Sequence, residues 1–275
     1  MSGKTAGGPA TEAKELHDEV VRTNRDFYDR NPEVLAVFNE ASDNRGFDAY
    51  LRGTLALCLR RIASAQKRPP RILDVGTGQG HLLGFLAEMA PDAEVAGLDV
   101  SPGNIARARS RFPNVRLELG DFVRDFEPEG TYDLITAYSV LHHVVDWPGF
   151  LDKAARCLAP GGVLYLDHDP LKGLPTNLYA RLWRLKHRGD AQAARMEYHA
   201  LLMGGLDHKA IRRHLGGRFE VEICFSNVGL LQEVYKLTRC NLWGLLPPLC
   251  RADAPWKAAF RHLFLDFRVV ARKLP

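Results

Sequence analysis

The sequence is poor in cysteine and has no long hydrophobic run. Among its 275 residues there are five cysteines, none in a CxxC pair and none grouped with histidine at zinc-ligand spacing. Residues 1–13 are rich in Gly, Ala, Thr and Ser and lack the apolar stretch of a secretory signal. No uncharged apolar run is long enough to span a bilayer. These absences argue against a disulfide scaffold, a zinc module and a membrane-spanning protein, and they predict a cytoplasmic chain with reduced thiols.

The chain also lacks a strong charge of one sign. Its formal net charge is +4, with 37 Lys and Arg against 33 Asp and Glu. A dedicated nucleic-acid-binding protein usually concentrates more positive charge in one stripe, so we expect no stable nucleic-acid partner. Hydrophobic residues make up 46% of the chain and charged residues 25%, which is typical of a globular protein with a sizeable core.

Short apolar strands alternate with helical segments over much of the chain. Strands are predicted at residues 71–75, 94–98, 115–119, 132–137 and 163–166. Amphipathic helices of ordinary length separate them, and this alternation predicts an α/β fold with a parallel sheet covered by helices on both faces. After Pro170 the alternation breaks, and only Phe219–Phe225 and Phe264–Ala271 are predicted as further strands.

The same patterns divide the chain into expected parts. Residues 1–15 are predicted to be a disordered tail and residues 16–68 an N-terminal helical cap. Residues 69–275 would form the core. Residues 171–215, rich in Arg and His, and residues 229–262, with clustered Leu and Pro, are expected to interrupt that core as helical lid insertions.

A glycine-rich turn follows the first predicted strand directly. Gly76, Gly78 and Gly80 stand between this strand and a helix, where glycines let the backbone approach a ligand and the helix N-terminus offers N–H groups. Asp99 ends the next strand about twenty residues later, where a carboxylate can accept hydrogen bonds from ribose hydroxyls. Ser101 is a candidate helix cap, which frees Asp99 for a ligand. The pattern predicts a nucleoside-cofactor site.

The spacing of this turn bears on which cofactor it holds. Dinucleotide sites have the spacing GxGxxG, whereas this turn has GxGxG. His81 stands where the dinucleotide pattern requires its last glycine. An NAD-dependent oxidoreductase is therefore an alternative that the spacing disfavours.

Five motifs occur in order between Arg71 and Asp169, namely DVGTGQG, GLDVSPGNIARAR, LGDF, YDLITAYSVLHHV and LAPGGVLYLDHD. Together they resemble the successive motifs of the class I S-adenosylmethionine (SAM)-dependent methyltransferase superfamily. They are especially similar to its small-molecule branch, which includes ubiquinone- and sterol-type C-methyltransferases. The resemblance implies SAM as the cofactor. It also implies a Rossmann-like sheet of seven strands in the order 3-2-1-4-5-7-6, with the last strand antiparallel.

The resemblance further implies which residues contact SAM. In chain order they are Tyr28, Asp74, Gly76, Thr77, Gly78, Gly80, Asp99, Val100, Asp121, Phe122, Ala137 and Tyr138. The first motif would hold the methionine end, Asp99 the ribose hydroxyls and Asp121 the adenine amino group. The apolar residues that follow those two aspartates would pack on the adenine, and Ala137 with Tyr138 would lie near the reactive methyl group. Tyr28 resembles a residue that closes over SAM in related enzymes, with an aromatic core contact as the alternative.

Histidine and aspartate residues follow the fourth and fifth strands, at the edge where such sheets bind ligands. His142 or His143 could take a proton from the acceptor as a neutral imidazole, or could shape the loop through a backbone hydrogen bond. Asp167, His168 and Asp169 could orient the acceptor, serve as the base or have a structural role. Three adjacent strand residues cannot all point the same way, so we expect no metal site among them.

The methyl acceptor is expected to be a small molecule. The lid insertions carry Trp and clustered Leu, which suit an apolar pocket. Arginines that could meet an acidic group on the acceptor are Arg181, Arg184, Arg188, Arg195 and Arg212. The segment Tyr179–Arg188 mixes Leu and Trp with basic residues, so a peripheral membrane contact is an interpretation beside a solvated face. We predict methyl transfer to oxygen or carbon of a lipophilic or aromatic acceptor.

Two other functions stay open. Methyltransferases that act on exocyclic or amide nitrogens resemble one another in an Asn/Asp-Pro-Pro-aromatic motif after the fourth strand, whereas this chain has Ala137-Tyr138-Ser139-Val140 there. An enzyme acting on RNA or protein is therefore disfavoured, although the basic insertion leaves room for it. A non-catalytic SAM-binding protein is the second alternative, because the sequence does not identify the acceptor site.

Overall fold

The structure, a computed structural model, describes residues 9–33, 35, 45–63, 68–186, 195–226 and 265–275. Within these residues a seven-stranded sheet has the order β3-β2-β1-β4-β5-β7-β6. The strands are β1 (Arg71–Val75), β2 (Glu94–Asp99), β3 (Arg116–Leu119), β4 (Tyr132–Tyr138), β5 (Leu158–Pro170), β6 (Phe219–Ser226) and β7 (Asp266–Lys273). Strands β1 to β5 are mutually parallel, and β7 runs antiparallel to both β5 and β6. The order and the antiparallel last strand confirm the fold prediction.

Helices cover both faces of this sheet, which is why its central strands are nearly continuous apolar runs. The helices are α1 (Pro9–Arg30), α2 (Arg45–Ala63), α3 (His81–Met89), α4 (Pro102–Arg111), α5 (Trp147–Cys157), α6 (Leu174–Lys186) and α7 (His208–Leu215). A 3-10 turn (Leu141–His143) follows β4, and a π-helical turn (Tyr198–Leu202) precedes α7. On one face Leu51 of α2 packs in a cluster with Tyr165 of β5. On the other face Phe150 of α5 and Ile211 of α7 share the larger core cluster.

The boundaries of the outer parts differ from the sequence-based prediction. Helix α1 begins at Pro9, so residues 9–15, predicted as part of a disordered tail, are helical; the fixed φ of proline suits a first helical turn. Helix α2, predicted as part of a cap, packs on the sheet because Leu51 and Leu55 lie one turn apart and are fully buried. The predicted lid segment 229–262 lies outside the described residues.

Only part of the predicted lid insertion, residues 171–215, lies outside the core. Lys172 N donates to Leu206 O, and Leu206 N donates to Pro170 O, so the two ends of the segment between them meet. After Leu206 the chain re-enters the core, because α7 buries an apolar face against β6. We call residues 173–205 the cap loop, of which residues 187–194 lie outside the described residues. Its role as a lid stays a prediction.

Helix α6 of the cap loop carries an apolar surface. Leu174, Leu178, Leu182 and Leu185 are each more than half exposed, and their spacing places them on one side of the helix. None of the described helices is both long and apolar enough to cross a membrane. The peripheral membrane contact of this helix stays a prediction.

Candidate active site

A large cavity lies at the carboxyl ends of β1, β2 and β4, where parallel sheets bind ligands. Its volume is about 840 Å³, within the range of roughly 300–1,000 Å³ that is typical of ligand pockets. The predicted site residues that line it are Tyr28, Asp74, Gly76, Thr77, Gly78, Asp99, Val100, Asp121, Phe122, Tyr138, His142, His143 and His168. The structure thus brings the expected cofactor residues and the histidine pair into one space.

The turn after β1 needs its glycines for different reasons. Gly76, Gly78 and Gly80 have φ values of 66°, 56° and 86°, in the left-handed region that favours glycine. A Cβ atom on Gly76 would lie 2.4 Å from Val140, and one on Gly80 would lie 2.6 Å from a phenylalanine ring. A Cβ atom on Gly78 would meet only Leu35, at 3.3 Å. Packing therefore requires the outer two glycines, whereas the middle one leaves room in the cavity.

Asp74, at the end of β1, anchors this turn. Its two carboxylate oxygens accept hydrogen bonds from the hydroxyls of Thr77, at 2.8 Å, and Thr136, at 2.7 Å. Burial raises the pKa of Asp74 to about 6, although both hydroxyl bonds lower it. Asp74 therefore holds the turn in place at the wall of the cavity.

Asp99 stands at the tip of β2 and holds the neighbouring backbone. One carboxylate oxygen accepts from Gly78 N at 2.8 Å and the other from Ser101 N at 2.9 Å. Burial raises the pKa of Asp99, and these amide bonds oppose that rise. Ser101 accepts from Asn104 N at 3.0 Å, so its predicted role as the cap of α4 is confirmed.

The residues at this end of the cavity fit the nucleoside part of SAM. A carboxylate has about four acceptor positions, and those of Asp99 already accept from Gly78 N, Ser101 N and Asn104 Nδ2, so Asp99 retains capacity for a ribose hydroxyl. Asn104 Oδ1 is buried at the cavity wall and has no hydrogen-bond partner among the described residues. Buried polar atoms are normally satisfied, so this oxygen suits a ligand that donates a hydrogen bond. Val100 and the largely buried Phe122 supply apolar wall for a base.

Asp121 is held by a residue that the sequence analysis did not select. His17 Nε2 lies 2.9 Å from Asp121 Oδ2, and the amides of Val123 and Arg124 donate to the other oxygen. Burial alone would raise the pKa of Asp121, but the bonds from His17 and the two amides hold it below its ordinary value. An adenine amino group would therefore meet a carboxylate that is shared with His17.

Helix α1 contributes a stripe of cavity residues. His17, Val21, Asn24 and Tyr28 are spaced by four, three and four positions, so they lie on one face of the helix, and all four line the cavity. This periodicity is present in the sequence and was the signal that could have identified His17 and Asn24. The predicted closing role of Tyr28 is consistent with its place in this stripe.

Replacing Asp99 with alanine is expected to weaken SAM binding by about 2–3 kcal/mol, because charge-assisted hydrogen bonds to the ribose would be lost. The loss of the acceptor for Gly78 N would add to the effect. Calorimetric titration of SAM into the folded variant measures it. The matched control is Asp152→Ala, which removes a half-exposed carboxylate that pairs with Arg218 away from the cavity. Unchanged SAM affinity in Asp99→Ala would remove Asp99 from the cofactor site.

Three predicted site residues do not line the cavity. Gly80 is required by packing, as described above. Ala137 is fully buried in the core cluster that includes Phe150, because the alternation of β4 turns its side chain inward. Asp167 is also fully buried, and its carboxylate accepts from Tyr50 of α2, on the face of the sheet opposite the cluster that contains Ala137. These three residues therefore have structural roles in place of the predicted ligand contacts.

Asp167 forms the centre of a buried polar network. The hydroxyls of Tyr50 and Tyr165 donate to one carboxylate oxygen at 2.7 and 2.6 Å, and His168 N donates to the other at 2.7 Å. Burial raises the pKa of Asp167, while Arg268 nearby lowers it. These contacts connect α2 to β5, and they turn the Asp167 carboxylate away from the cavity that would hold the methyl acceptor.

The backbone is unusual where β4 and β5 end. Ser139 and His168 have φ values of 59° and 60°, a region that residues other than glycine seldom adopt and that is often found at active sites. The rings of Tyr138 and His168 stack at 5.4 Å beside the cavity. The pairing of β5 with β7 is irregular between Leu166 and Asp169. Asp167 and Asp169 consequently face opposite sides of the sheet, although two residues apart.

The two histidines after β4 lie side by side, with ring centroids 4.0 Å apart. His142 Nδ1 lies 2.9 Å from Asp169 Oδ1, and His143 Nδ1 lies 2.6 Å from the carbonyl oxygen of Met196. Because these partners accept hydrogen bonds, each Nδ1 carries the proton and each Nε2 carries the lone pair. Burial lowers the pKa of His142 to about 3, with a contribution from His143, so His142 is neutral.

Glu197 completes this polar cluster from the cap loop. Its Oε2 lies 3.4 Å from His142 Nε2, and both side chains line the cavity. Tyr28 OH lies 3.4 Å from His143 Nε2 on the other side. No pattern in the sequence pointed to Glu197 or to the Met196 carbonyl, because they reach the histidines only through the folding of the cap loop.

Comparison with known proteins gives the following matches. A model of the methyltransferase domain family matches residues 47–199. Trans-aconitate 2-methyltransferase of Methylobacterium nodulans is 38% identical over 120 residues, which is 44% of this chain and 44% of that protein. Demethylmenaquinone methyltransferase of Thermus thermophilus is 39% identical over 109 residues, or 38% of this chain and 50% of that protein. The matched region thus spans about half the length of these curated relatives.

A solved structure matches over nearly the whole chain. Plantazolicin methyltransferase BpumL, in complex with a pentazolic desmethylPZN analog and SAH, superposes with a TM-score of 0.57 at 15% identity. The match covers 96% of this chain and 99% of that chain, and at this identity it shows the fold alone. The family model spans more than half of the chain, and the strand order is the one that the resemblance implied. The chain therefore belongs to the methyltransferase domain family and has the class I SAM-dependent methyltransferase fold.

Proposed function

We propose that this protein transfers the methyl group of SAM to an oxygen or carbon of a small, largely apolar acceptor. The observation that carries the proposal is the single cavity that contains the glycine turn, Asp99 and the cluster of His142, His143 and Glu197. When bound, SAM supplies a methyl group on a sulfonium ion, which is already strongly electrophilic. The residues of the chain then have to bind, align and desolvate the reactants.

We infer that α1 and the cap loop exclude water from the reactants. Phe27 and Tyr28 of α1 line the cavity together with Tyr179 and Ala200 of the cap loop. The two elements contact each other, because Asn24 Nδ2 donates to the Met196 carbonyl at 3.4 Å. These residues line the same cavity as the residues at the strand ends, so they would help to cover the reactants.

We infer that the reacting group of the acceptor lies beside the cluster of His142, His143 and Glu197. An acceptor hydroxyl or acidic C–H must lose a proton as the methyl group is transferred, and a positioned base raises the rate. The Nε2 atoms of His142 and His143 carry lone pairs and border the cavity. Asp169 keeps His142 in this tautomer by accepting from its Nδ1.

The acceptor itself is inferred from the walls and from the relatives. Phe27, Leu35 and Phe150 give the cavity an apolar lining, which favours a lipophilic or aromatic molecule. None of the described arginines lines it, so the predicted contact with an acidic group has no support there. The names of the relatives, which act on trans-aconitate and demethylmenaquinone, support a small-molecule acceptor.

The test is a screen with SAM labelled in its methyl group against small-molecule extracts, protein and bulk tRNA, with mass spectrometry of the labelled product. We expect label in a small molecule.

We expect His143→Ala to lower turnover by about 10²–10⁴-fold while SAM affinity is retained, since a general base contributes about that much. His214→Ala is the control, because His214 pairs with Asp152 away from the cavity.

Other outcomes would separate the remaining functions. Label found only in tRNA or protein would establish the macromolecular alternative and overturn a small acceptor. SAM binding without any labelled product in all three fractions would favour the non-catalytic alternative. Absence of SAM binding in the folded protein would contradict the proposed function as a whole.

A further inference from the structure

Three hydrogen-bond acceptors converge on one wall of the cavity. His142, His143 and Glu197 each offer one ligand atom, and these atoms lie within 4.8 Å of one another. Two of them, His142 Nε2 and Glu197 Oε2, are 3.4 Å apart. Since each Nδ1 atom faces an acceptor of its own, the Nε2 atoms bring lone pairs and no protons to this point.

Lone pairs that face each other in a shielded site repel unless a positive species lies between them. His142 is 4% exposed, so on the histidine side of this pair water does little to screen the repulsion, whereas the Glu197 side chain is partly exposed. Two ligands about 2.0–2.1 Å from a common tetrahedral ion lie roughly 3.4 Å from each other. The observed distance between His142 Nε2 and Glu197 Oε2 is 3.4 Å. The spacing therefore suits a shared cation.

The histidines are also oriented as metal ligands usually are. A histidine ligand commonly donates its other N–H to a carboxylate or a backbone carbonyl, which fixes the ring and its tautomer. Asp169 accepts from His142 Nδ1 at 2.9 Å, and the Met196 carbonyl accepts from His143 Nδ1 at 2.6 Å. Asp169 Oδ1 also accepts from His142 N at 3.0 Å, which holds the carboxylate in place.

We propose that His142 Nε2, His143 Nε2 and the Glu197 carboxylate bind one divalent transition-metal ion of the zinc, iron or cobalt class. Two imidazoles and one carboxylate are a donor set that these ions accept, and three protein ligands leave a position open. Because all three residues line the cavity, an oxygen of the acceptor is the ligand that fits the open position. This last step rests on the proposed methyl transfer and narrows the acceptor to an oxygen donor, whereas the ion site stands without it. In the ion-bound protein the two Nε2 lone pairs hold the ion, so they are not the base that takes the acceptor proton.

The test uses the full chain without an affinity tag, freed of metal with a chelator and titrated with Co²⁺. We expect one Co²⁺ per chain and visible absorption bands of a nitrogen- and oxygen-bound ion. Glu197→Gln should remove these bands, and this variant is expected to fold because the Glu197 side chain is 31% exposed. Asp169→Asn should weaken Co²⁺ binding by about 10–100-fold, as for other residues that orient a ligand. His214→Ala, outside the cavity, should bind Co²⁺ like the unmodified protein.

Failure of the ion site and failure of the proposed function are distinguishable. Absence of stoichiometric Co²⁺ binding, or equal binding by Glu197→Gln, would overturn the ion site, even where SAM titration and methyl transfer succeed. Full methyl transfer by the metal-free protein would overturn the coordination of the acceptor. Co²⁺ binding in a protein that does not bind SAM would support the ion site and contradict the proposed function.

Discussion

Replacing Gly78 with valine is expected to abolish SAM binding and leave the fold largely intact. Gly78 has a φ of 56°, which a β-branched residue adopts only with strain. Its N–H donates to Asp99 Oδ2 at 2.8 Å, so a shift of this residue would also move the carboxylate expected to bind the ribose. The new side chain would occupy the cavity wall itself. We expect SAM affinity to fall below calorimetric detection.

The control for Gly78→Val is Gly217→Val. Gly217 has a φ of 75° and nothing within 4 Å of the position of its Cβ atom, and it does not line the cofactor cavity. This variant introduces the same kind of backbone strain without touching the cofactor site. It should lose stability and keep SAM affinity. Retained SAM binding in a folded Gly78→Val protein would mean that the glycine turn has only a structural role.

Replacing residues 174–203 with a short glycine linker is expected to spare SAM binding and eliminate turnover. The linker is sterically feasible because Lys172 N donates to Leu206 O, so the ends of the cap loop already meet. The deletion removes Tyr179, Glu197 and Ala200 from the cavity wall, whereas the glycine turn and Asp99 stay in place. Water would enter, and the partner of His142 Nε2 would be lost. Labelled-product assays and SAM titration on the same preparation measure both effects.

The control for the cap-loop deletion is Leu182→Gln. Leu182 is 58% exposed on α6 and does not line the cavity, so this variant should turn over normally. Normal methyl transfer by the deletion variant would show that the acceptor is held by α1 and the strand ends alone. A deletion that keeps α7 is the appropriate one, because Ile211 and Leu215 are fully buried in the core and their removal would unfold the sheet.

The residues expected to bind the cofactor could be selected from the sequence because they occupy positions that local patterns identify. Asp74 and Asp99 each stand where a parallel strand ends, and the ends of such strands share one edge of the sheet. The glycine turn follows Asp74 and the capping serine follows Asp99 within a few residues, so both could be interpreted from the local sequence. Ligand contacts were predicted for Ala137 and Asp167 because both lie near a strand end, but that position does not determine on which face of the sheet the side chain lies. Simple alternation would place Asp167 and Asp169 on the same face of the sheet, but the left-handed φ of His168 between them places them on opposite faces.

The positions of the strands along the chain, the glycine turn and the carboxylates at the strand tips were determined by the sequence itself, since each depends on short-range backbone preferences and on a repeated pattern of burial. The order of the strands in the sheet was implied only by the family resemblance, because it depends on pairing between distant segments. The acceptor half was decided only by the tertiary structure. Tyr28 reaches His143 across 115 positions of the chain, and at the cofactor end His17 likewise reaches Asp121 across 104. Glu197 approaches His142 only because the two ends of the cap loop meet. Contacts between such distant segments depend on how helices pack over the sheet, and no local pattern encodes that packing.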